Sequence, residues 1–314
     1  MTRSATTGPS VPGRTTVTTN RRRFLLGAAA ASASGSVVVA ARSAGSALGA
    51  PGSAAPAPQL RTFLDGERVT PDRIRAWEAR RIPVAAARLA RDYPGVARGE
   101  LAALIDRGPA ATADLGPARA VLARTRADLG VERIREMLAP EIAVSGAATL
   151  GALAISGGRW AIAATDIDCP RGTAEGFAAW FTRERDIDDR RTWTDACPDH
   201  YVIVTGADGR QEVIEVTGGA VLPSRFFVDY TDRARVPVPR DPGYPIEVAG
   251  TASVAGGDLI GGVRHQFRNL PGGGFRSRLR VAFPAAVPGL YITEHRWHLA
   301  VEFGNWISAY LRAG

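Results

Sequence analysis

The stretch that most constrains this chain is HRWHLAVEFGNWISAYLRAG, His295 to Gly314. At about 3.6 residues per helical turn, His295, His298, Glu302 and Asn305 fall on one narrow stripe, continued by Ala309. Trp297, Leu299, Val301, Phe303, Trp306, Ile307 and Leu311 fill the rest of the wheel, interrupted mainly by Arg296. A surface helix has a broad polar face and an apolar stripe, and this one is inverted. The pattern predicts a buried helix that carries a polar strip into an interior cavity. Glutamate and histidine are rarely buried alone, because an unpaired buried charge is very unfavourable. Something must satisfy them there.

Length allows one large domain or two modest ones. The formal net charge is +8, but Arg3, Arg14, Arg21, Arg22, Arg23 and Arg42 supply six of those charges among residues 1–50, which hold no acid. The remaining excess of +2 calls for no polyanionic partner, and no basic-aromatic motif is present. The reading is therefore no nucleic acid. TTNRRRFLLG, the mildly apolar AAAASASGSVVVAA and a small-residue exit near 47–57 read as a twin-arginine signal peptide over residues 1–50. That run is too short and too rich in Ala, Ser and Gly for a transmembrane helix. The twin-arginine export machinery is then an expected partner, and the mature chain is expected in the periplasm or outside the cell. In that compartment Cys169 and Cys197 are expected to pair.

Lysine is absent: apart from four histidines, every basic residue is arginine. This excludes Schiff-base, pyridoxal-phosphate and P-loop-lysine chemistry. GxSxG, HExxH and CxxC are also missing, so a histidine-based site draws on His200, His265, His295 and His298.

Residues 51–60 form a flexible Pro/Ala/Gly/Ser spacer. From Thr70 to about Ile142 the pattern is helical, with Thr70-Pro71-Asp72 as N-cap and first turn. Pro83, Pro94 and the Gly-Pro pairs at 108–109 and 116–117 punctuate it, and VERIREML makes one more helix before Pro140. Residues 61–150 thus read as a helical N-terminal region without a chemical motif, there to pack. After about Ala143 strand-like runs follow: WAIAATDI, HYVIVTG, RQEVIEVTG, SRFFVDY, GGVRHQFRNL and FRSRLRVAF. GADG and PGGG supply hairpin turns, and Thr173 to Arg183 makes a short amphipathic helix. The expected class is α+β, a curved antiparallel sheet over 151–314 around the long C-terminal helix, with a cavity between them.

His298 and Glu302 stand one turn apart, so both reach one cation. Zinc accepts histidine nitrogen and carboxylate oxygen at about 2.0–2.2 Å. Further ligands must come from strands, where His200 in HYVIV and Glu215 in EVIEV are odd choices for plain core positions. From about Trp160 onward the chain resembles the diacetylphloroglucinol hydrolase and phloretin hydrolase family. The resemblance is carried, in order, by WAIAATDIDCPRGTAEGFAAWFTRERDIDDRRTWTDACPDHYVIV, EVIEVTGG, GGVRHQFRNLPGGGFRSRLRV and HLAVEFGN. It departs from the family in having one tryptophan, Trp180, in place of an aromatic pair, and in both cysteines. The resemblance implies a helix-grip (Bet v 1-like) domain. It also implies a zinc-dependent hydrolase that cleaves the carbon–carbon bond between an acyl group and a polyhydroxylated aromatic ring, with a small aromatic ketone as substrate.

Carried over by motif, His200, Glu215, His298 and Glu302 are the implied zinc ligands. Glu212 competes with Glu215, because the spacing from His200 is short. His265, in VRHQFR, is the implied substrate-side histidine. Asn305 is expected to orient a ligand or bind a hydroxyl. His295 reads as a capping or peripheral residue. Arg276 and Arg278 read as ion-pair partners, and Trp180, Tyr201, Phe267 and Trp306 as core. Two functions are carried forward: a zinc carbon–carbon hydrolase, or a secreted protein of the same fold that binds phenolic or other apolar molecules without turnover.

Overall fold

The computed structural model describes residues 59–91, 97–106, 115–218 and 220–314. The expected export signal, most of the spacer and the expected breaks at Pro94 and 108–109 lie outside them. RTFLDGERV forms a hairpin, β1 (Arg61–Leu64) and β2 (Glu67–Val69), turning on Asp65 and Gly66, both at positive φ. Asp-Gly is the favoured sequence for such a two-residue turn. The hairpin corrects the all-helical reading of residues 61–150, since β1 pairs with a strand of the main sheet.

Three helices follow. Thr70 caps α1 (Pro71–Ala90) by accepting from the Arg73 amide, and α2 (Ala97–Asp106) and α3 (Gly116–Ser156) complete the set. The expected stops at Pro83 and Pro140 do not occur. Both prolines sit inside helices whose buried faces, with Ile82, Ala86, Ile134 and Leu138, join one cluster, so packing carries each helix past its missing amide. The break in α3 falls instead at Gly130, where φ is +73°.

The remaining elements are β3 (Trp160–Cys169), α4 (Ala174–Asp186), α5 (Arg190–Asp195), β4 (His200–Thr205), β5 (Gln211–Glu215), β6 (Ser224–Asp229), β7 (Ile246–Ser253), β8 (Leu259–Asn269), β9 (Phe275–Pro284) and α6 (Gly289–Ala313). Nine antiparallel strands form one open sheet in the order β2-β1-β3-β9-β8-β7-β6-β5-β4. The class is α+β as expected. Every expected strand is present, while β7 and α5 are additions. IEVAGTAS is too small and mixed for period-two alternation to mark it.

One core cluster joins Ile167, Ile203, Val213, Val228, Val248, Phe267 and Leu279 of seven strands to Leu299, Phe303, Trp306 and Ile307 of α6. Phe177 and Phe181 of α4 belong to the same cluster, and seven strands sharing one core with α6 are compatible with a curved sheet around that helix. The opposite face of β4 and β5 is covered by the N-terminal helices, with Val202, Val204 and Ile214 against Ile82, Leu101, Leu122 and Leu138. Covered on both faces, these two strands are buried almost throughout, which is why HYVIV reads as a continuous apolar run. Arg276 pairs with Asp168, and Arg278 approaches Asp241 at 3.5 Å, as their sequence context suggested.

Both cysteines are buried and free, so the expected disulfide is absent. The Cys169 sulfur donates to the Arg171 carbonyl (3.1 Å), while Cys197 lies 3.8 Å from His298 Nδ1. The two thiols have separate partners.

After β5 the chain crosses the back of α6. At Gly218, φ is +26°, and a Cβ there would fall on the backbone of Glu294 and His295. Only glycine permits this approach, which brings the end of β5 beside the polar strip of α6. Gly218→Ala should lower the unfolding free energy by roughly 2 kcal/mol or more, measured by urea titration. Gly209→Ala, at a strained but open turn position, should lose only about 1 kcal/mol. Equal losses would refute the close approach.

Candidate metal centre

His200 reaches the α6 side of the sheet through an irregularity in β4. His200 pairs with Glu215 and Val202 with Ile214, so two steps on β4 match one on β5, and Tyr201 is the extra residue of a bulge. With Ile203 facing α6 and Val202 facing the helices, unbroken alternation would turn His200 outward. The bulge restores it inward and sends Tyr201 to the helical layer, where Arg88 Nη1 donates to its hydroxyl at 3.0 Å.

Parity decides the strand carboxylate. Gln211, Val213 and Glu215 share the inner face of β5, and Ile214 and Glu212 the outer one. Glu212 accordingly pairs with Arg135 of α3 at 3.1 Å and with Arg225 at 2.7 Å. The structure brings Glu215, not Glu212, to His200.

His200 Nε2 lies 3.0 Å from His298 Nε2, 3.2 Å from Glu302 Oε2 and 3.6 Å from Glu215 Oε2. His298 Nε2 is 3.5 Å from Glu302 Oε2 and 3.7 Å from Glu215 Oε2. Donors held at about 2.0–2.2 Å around a tetrahedral metal stand roughly 3.3–3.6 Å apart. Five of the six donor pairs, at 3.0–3.7 Å, come close to that spacing, so these side chains could hold one ion. Both imidazoles are 0% exposed, and Glu215 and Glu302 are 6% and 7% exposed. Cys197 and His295 also bring a donor atom within 4.8 Å of members of this group. Cys197, however, contacts Nδ1 of His298, the nitrogen facing away from the other donors.

Charge and solvation oppose one another here. Burial would raise the Glu302 carboxyl, but hydrogen bonds with His200 and His298, and their charge, hold it well below the usual carboxylate range. Burial pushes Glu215 up. The Cys197 thiol is pushed up to about 11 by burial, and so stays protonated near neutrality.

A second layer fixes the ligands. His200 Nδ1 donates to the Trp193 carbonyl at 2.9 Å, which leaves Nε2 with its lone pair toward the cluster. The Trp306 ring stacks on His200 with centroids 5.9 Å apart. Asp199, fully buried, receives two hydrogen bonds from Arg81 of α1 at 2.7 and 2.8 Å. The buried Arg126 guanidinium of α3 donates to the Thr194 and Pro198 carbonyls at 3.1 and 2.5 Å. The N-terminal helices thus clamp the loop that delivers His200.

Two residues of α6 differ from expectation. At about 100° per residue, Glu302 and Trp306 lie about 20° to either side of His295, whereas Asn305 lies about 80° away. The cavity faces the His295 side. Asn305 does not line it: Nδ2 donates to the Ala196 carbonyl (2.8 Å), and Oδ1 accepts from Arg119 (3.1 Å). The expected catalytic role for Asn305 is corrected to a brace between α6 and the His200 loop. His295, read as peripheral, is 4% exposed and lines the cavity.

That cavity, about 140 Å³, is walled by Phe181, Trp193, Phe226, Phe283, Phe303 and Trp306, with Glu215, Glu302, His265 and His295 among its polar residues. It is close in size to the engineered apolar cavity of about 150 Å³ that admits benzene, and so suits one aromatic ring. His265 of β8 also lines the cavity and packs its ring 4.7 Å from Phe303.

Compared with protein-family models and with curated proteins, the chain matches none. What it can do is argued from this geometry and its motifs.

His298→Ala, Glu302→Ala and Glu215→Ala should each weaken metal binding more than about 100-fold, beyond the loss typical of second-layer partners. Glu212→Ala should leave metal content intact. Elemental analysis of the purified variants checks both, and metal loss in Glu212→Ala alone would reverse the parity assignment.

Burial pushes the His265 imidazole down to about 4. Between about 4 and 6.5 it is therefore neutral when folded and protonated when unfolded. Such a group contributes its full stability above the unfolded pKa, and loses it as pH falls toward the folded value. His265 alone should remove on the order of 2 kcal/mol between pH 7 and pH 5. His265→Leu should flatten urea-unfolding stability over that window by this amount, and an unchanged slope would contradict the buried neutral imidazole.

Proposed function

We propose that this chain is an exported zinc-dependent hydrolase of the diacetylphloroglucinol/phloretin hydrolase type on a helix-grip (Bet v 1-like) fold. In this reading it cleaves the bond between an acyl carbon and a polyhydroxylated aromatic ring. The observation that carries it is the convergence of two imidazoles and two carboxylates, 3.0–3.7 Å apart in the measured pairs, beside a one-ring apolar cavity that the two carboxylates help to line. An all-N/O donor set of four favours zinc over metals that prefer thiolates or six oxygens. Export rests on the arginine pair and apolar run of residues 1–50.

Bound there, zinc supplies Lewis acidity toward a carbonyl oxygen and lowers the pKa of a water. The chain's own residues do the rest. Phe181, Trp193, Phe303 and Trp306 offer flat apolar walls that hold a ring and exclude bulk water. His265, neutral near pH 7, accepts a hydrogen bond at Nδ1 from a phenolic hydroxyl when its proton sits on Nε2. Drawing that proton toward His265 pushes electron density into the ring and lets the acyl-bearing ring carbon take up a proton. The elements of water are thereby divided. Hydroxyl goes to the acyl carbon, giving a carboxylic acid, and hydrogen goes to the ring carbon.

The protein should carry about one zinc per chain and release acid from an aryl ketone with one to three ring hydroxyls, followed by chromatography. His265→Ala should lower kcat by roughly 100-fold or more while zinc content is kept. Zinc-loaded protein that binds such ketones but releases no acid would sink the hydrolase reading in favour of a ligand-binding protein.

A further inference from the structure

Four residues that line the cavity each carry a buried polar atom with no hydrogen-bond partner: Trp193 Nε1, Gln211 Nε2, His265 Nδ1 and His295 Nδ1. Their residues are 1%, 3%, 6% and 4% exposed. An unpaired buried polar atom is unfavourable, and four around one apolar space point to a molecule that pairs them. The indole and amide nitrogens can only donate, whereas a neutral imidazole nitrogen donates or accepts. Among the described residues no arginine lines this cavity, so apart from a bound metal ion an anionic ligand finds no cationic partner on its wall. A neutral ring bearing several hydroxyls meets every requirement, since each hydroxyl both gives and takes a hydrogen bond.

His265 has a part in the proposed reaction, and His295 has none. The His295 ring is held between two others. It stacks on His298 with centroids 5.1 Å apart and 22° between planes, and Phe283 meets it edge-on at 4.9 Å. Its backbone is fixed from behind by the close approach of Gly218. An imidazole so constrained presents Nδ1 in a set direction, which is what discrimination between ligands demands.

We propose that His295 reads the hydroxylation of the ligand: its Nδ1 hydrogen-bonds a ring hydroxyl of the bound aryl ketone, while Gln211 and Trp193 donate to the ligand's remaining oxygens. This rests on the polyphenol reading of the same cavity. A site built to pair a hydroxyl rejects the analogue that lacks it, because the buried polar group is then left unpaired.

The test compares 2,4,6-trihydroxyacetophenone with acetophenone, which has no ring hydroxyl, on the zinc-loaded full chain. Dissociation constants are read from quenching of tryptophan fluorescence, Trp193 and Trp306 being on the cavity wall. The wild-type protein should prefer the hydroxylated probe. His295→Phe keeps a flat ring between His298 and Phe283, and should reduce that preference about tenfold with one zinc still bound and acetophenone affinity retained. His295→Leu gives the same comparison if the phenylalanine variant fails to fold, and His295→Asn, which returns a polar atom near Nδ1, should recover part of the preference. An unchanged preference in the Phe or Leu variant overturns the proposal, as does loss of zinc, which would make His295 a metal ligand. A wild-type protein that binds neither probe overturns the polyphenol reading and this inference together, whereas intact preference in the variants overturns this inference alone.

Discussion

Two carboxylates, Glu215 and Glu302, are buried beside two imidazoles that solvent does not reach at all. The hydrophobic effect would never assemble such a group, and burial alone would push the carboxylates to protonate. A buried ionic cluster survives only when its geometry is tight and its remaining lone pairs and protons are paired. The surroundings meet that condition piece by piece. A carbonyl at Trp193 fixes one imidazole, a thiol meets the other, and a glycine lets a strand end press against the helix.

The N-terminal helices contribute no side chain to the four-donor group, yet they determine whether it can exist. Arg81 and Arg126 reach through to the loop between α5 and β4, and Arg119 links Glu78 of α1 to Asn305 of α6. The Trp77 indole donates to Glu294 at the other end of the same strip. Arginine suits this work because its planar fork can satisfy two acceptors at once. The absence of lysine from the chain, which first served to exclude chemistries, thus also describes how the chain holds itself together.

How much of this was legible in the sequence depends on what kind of pattern carried it. The inverted wheel of α6 announced a buried polar strip, and period-two runs announced most of the strands, because periodicity records which faces are covered. The pairing of His298 with Glu302 followed from one helical turn. The choice between Glu215 and Glu212 could have been made from alternation with Val213, since the outer carboxylate needed the arginines that it has. Other features lay beyond periodicity. A stripe about 80° wide says which residues share a side, but only the partner surfaces say where along that arc the cavity opens. Asn305 and His295 exchanged roles for that reason. Pro83 and Pro140 stay inside their helices because packing on both flanks outweighs a local break. The disulfide expectation failed because compartment permits a bond without bringing the sulfurs together.

The bulge at Tyr201 makes the site depend on a count as well as on residue types. Side chains of a strand follow an odd-even rule, and the bulge, by sending Tyr201 and Val202 to the same face, is what keeps His200 inward despite the extra residue. A substitution at Tyr201 leaves that arithmetic untouched, whatever it does to the packing against Arg88. Deleting Tyr201 would give regular pairing with His200 still opposite Glu215 on the inner face, whereas straightening the strand with Tyr201 kept, which a sheet by itself prefers, would turn the histidine toward the helices. The strand would then be more regular and the site would be gone. Sequences that share every residue type of this cluster and the extra position, but pair β4 without the bulge, would present the same letters and no common point for them to meet.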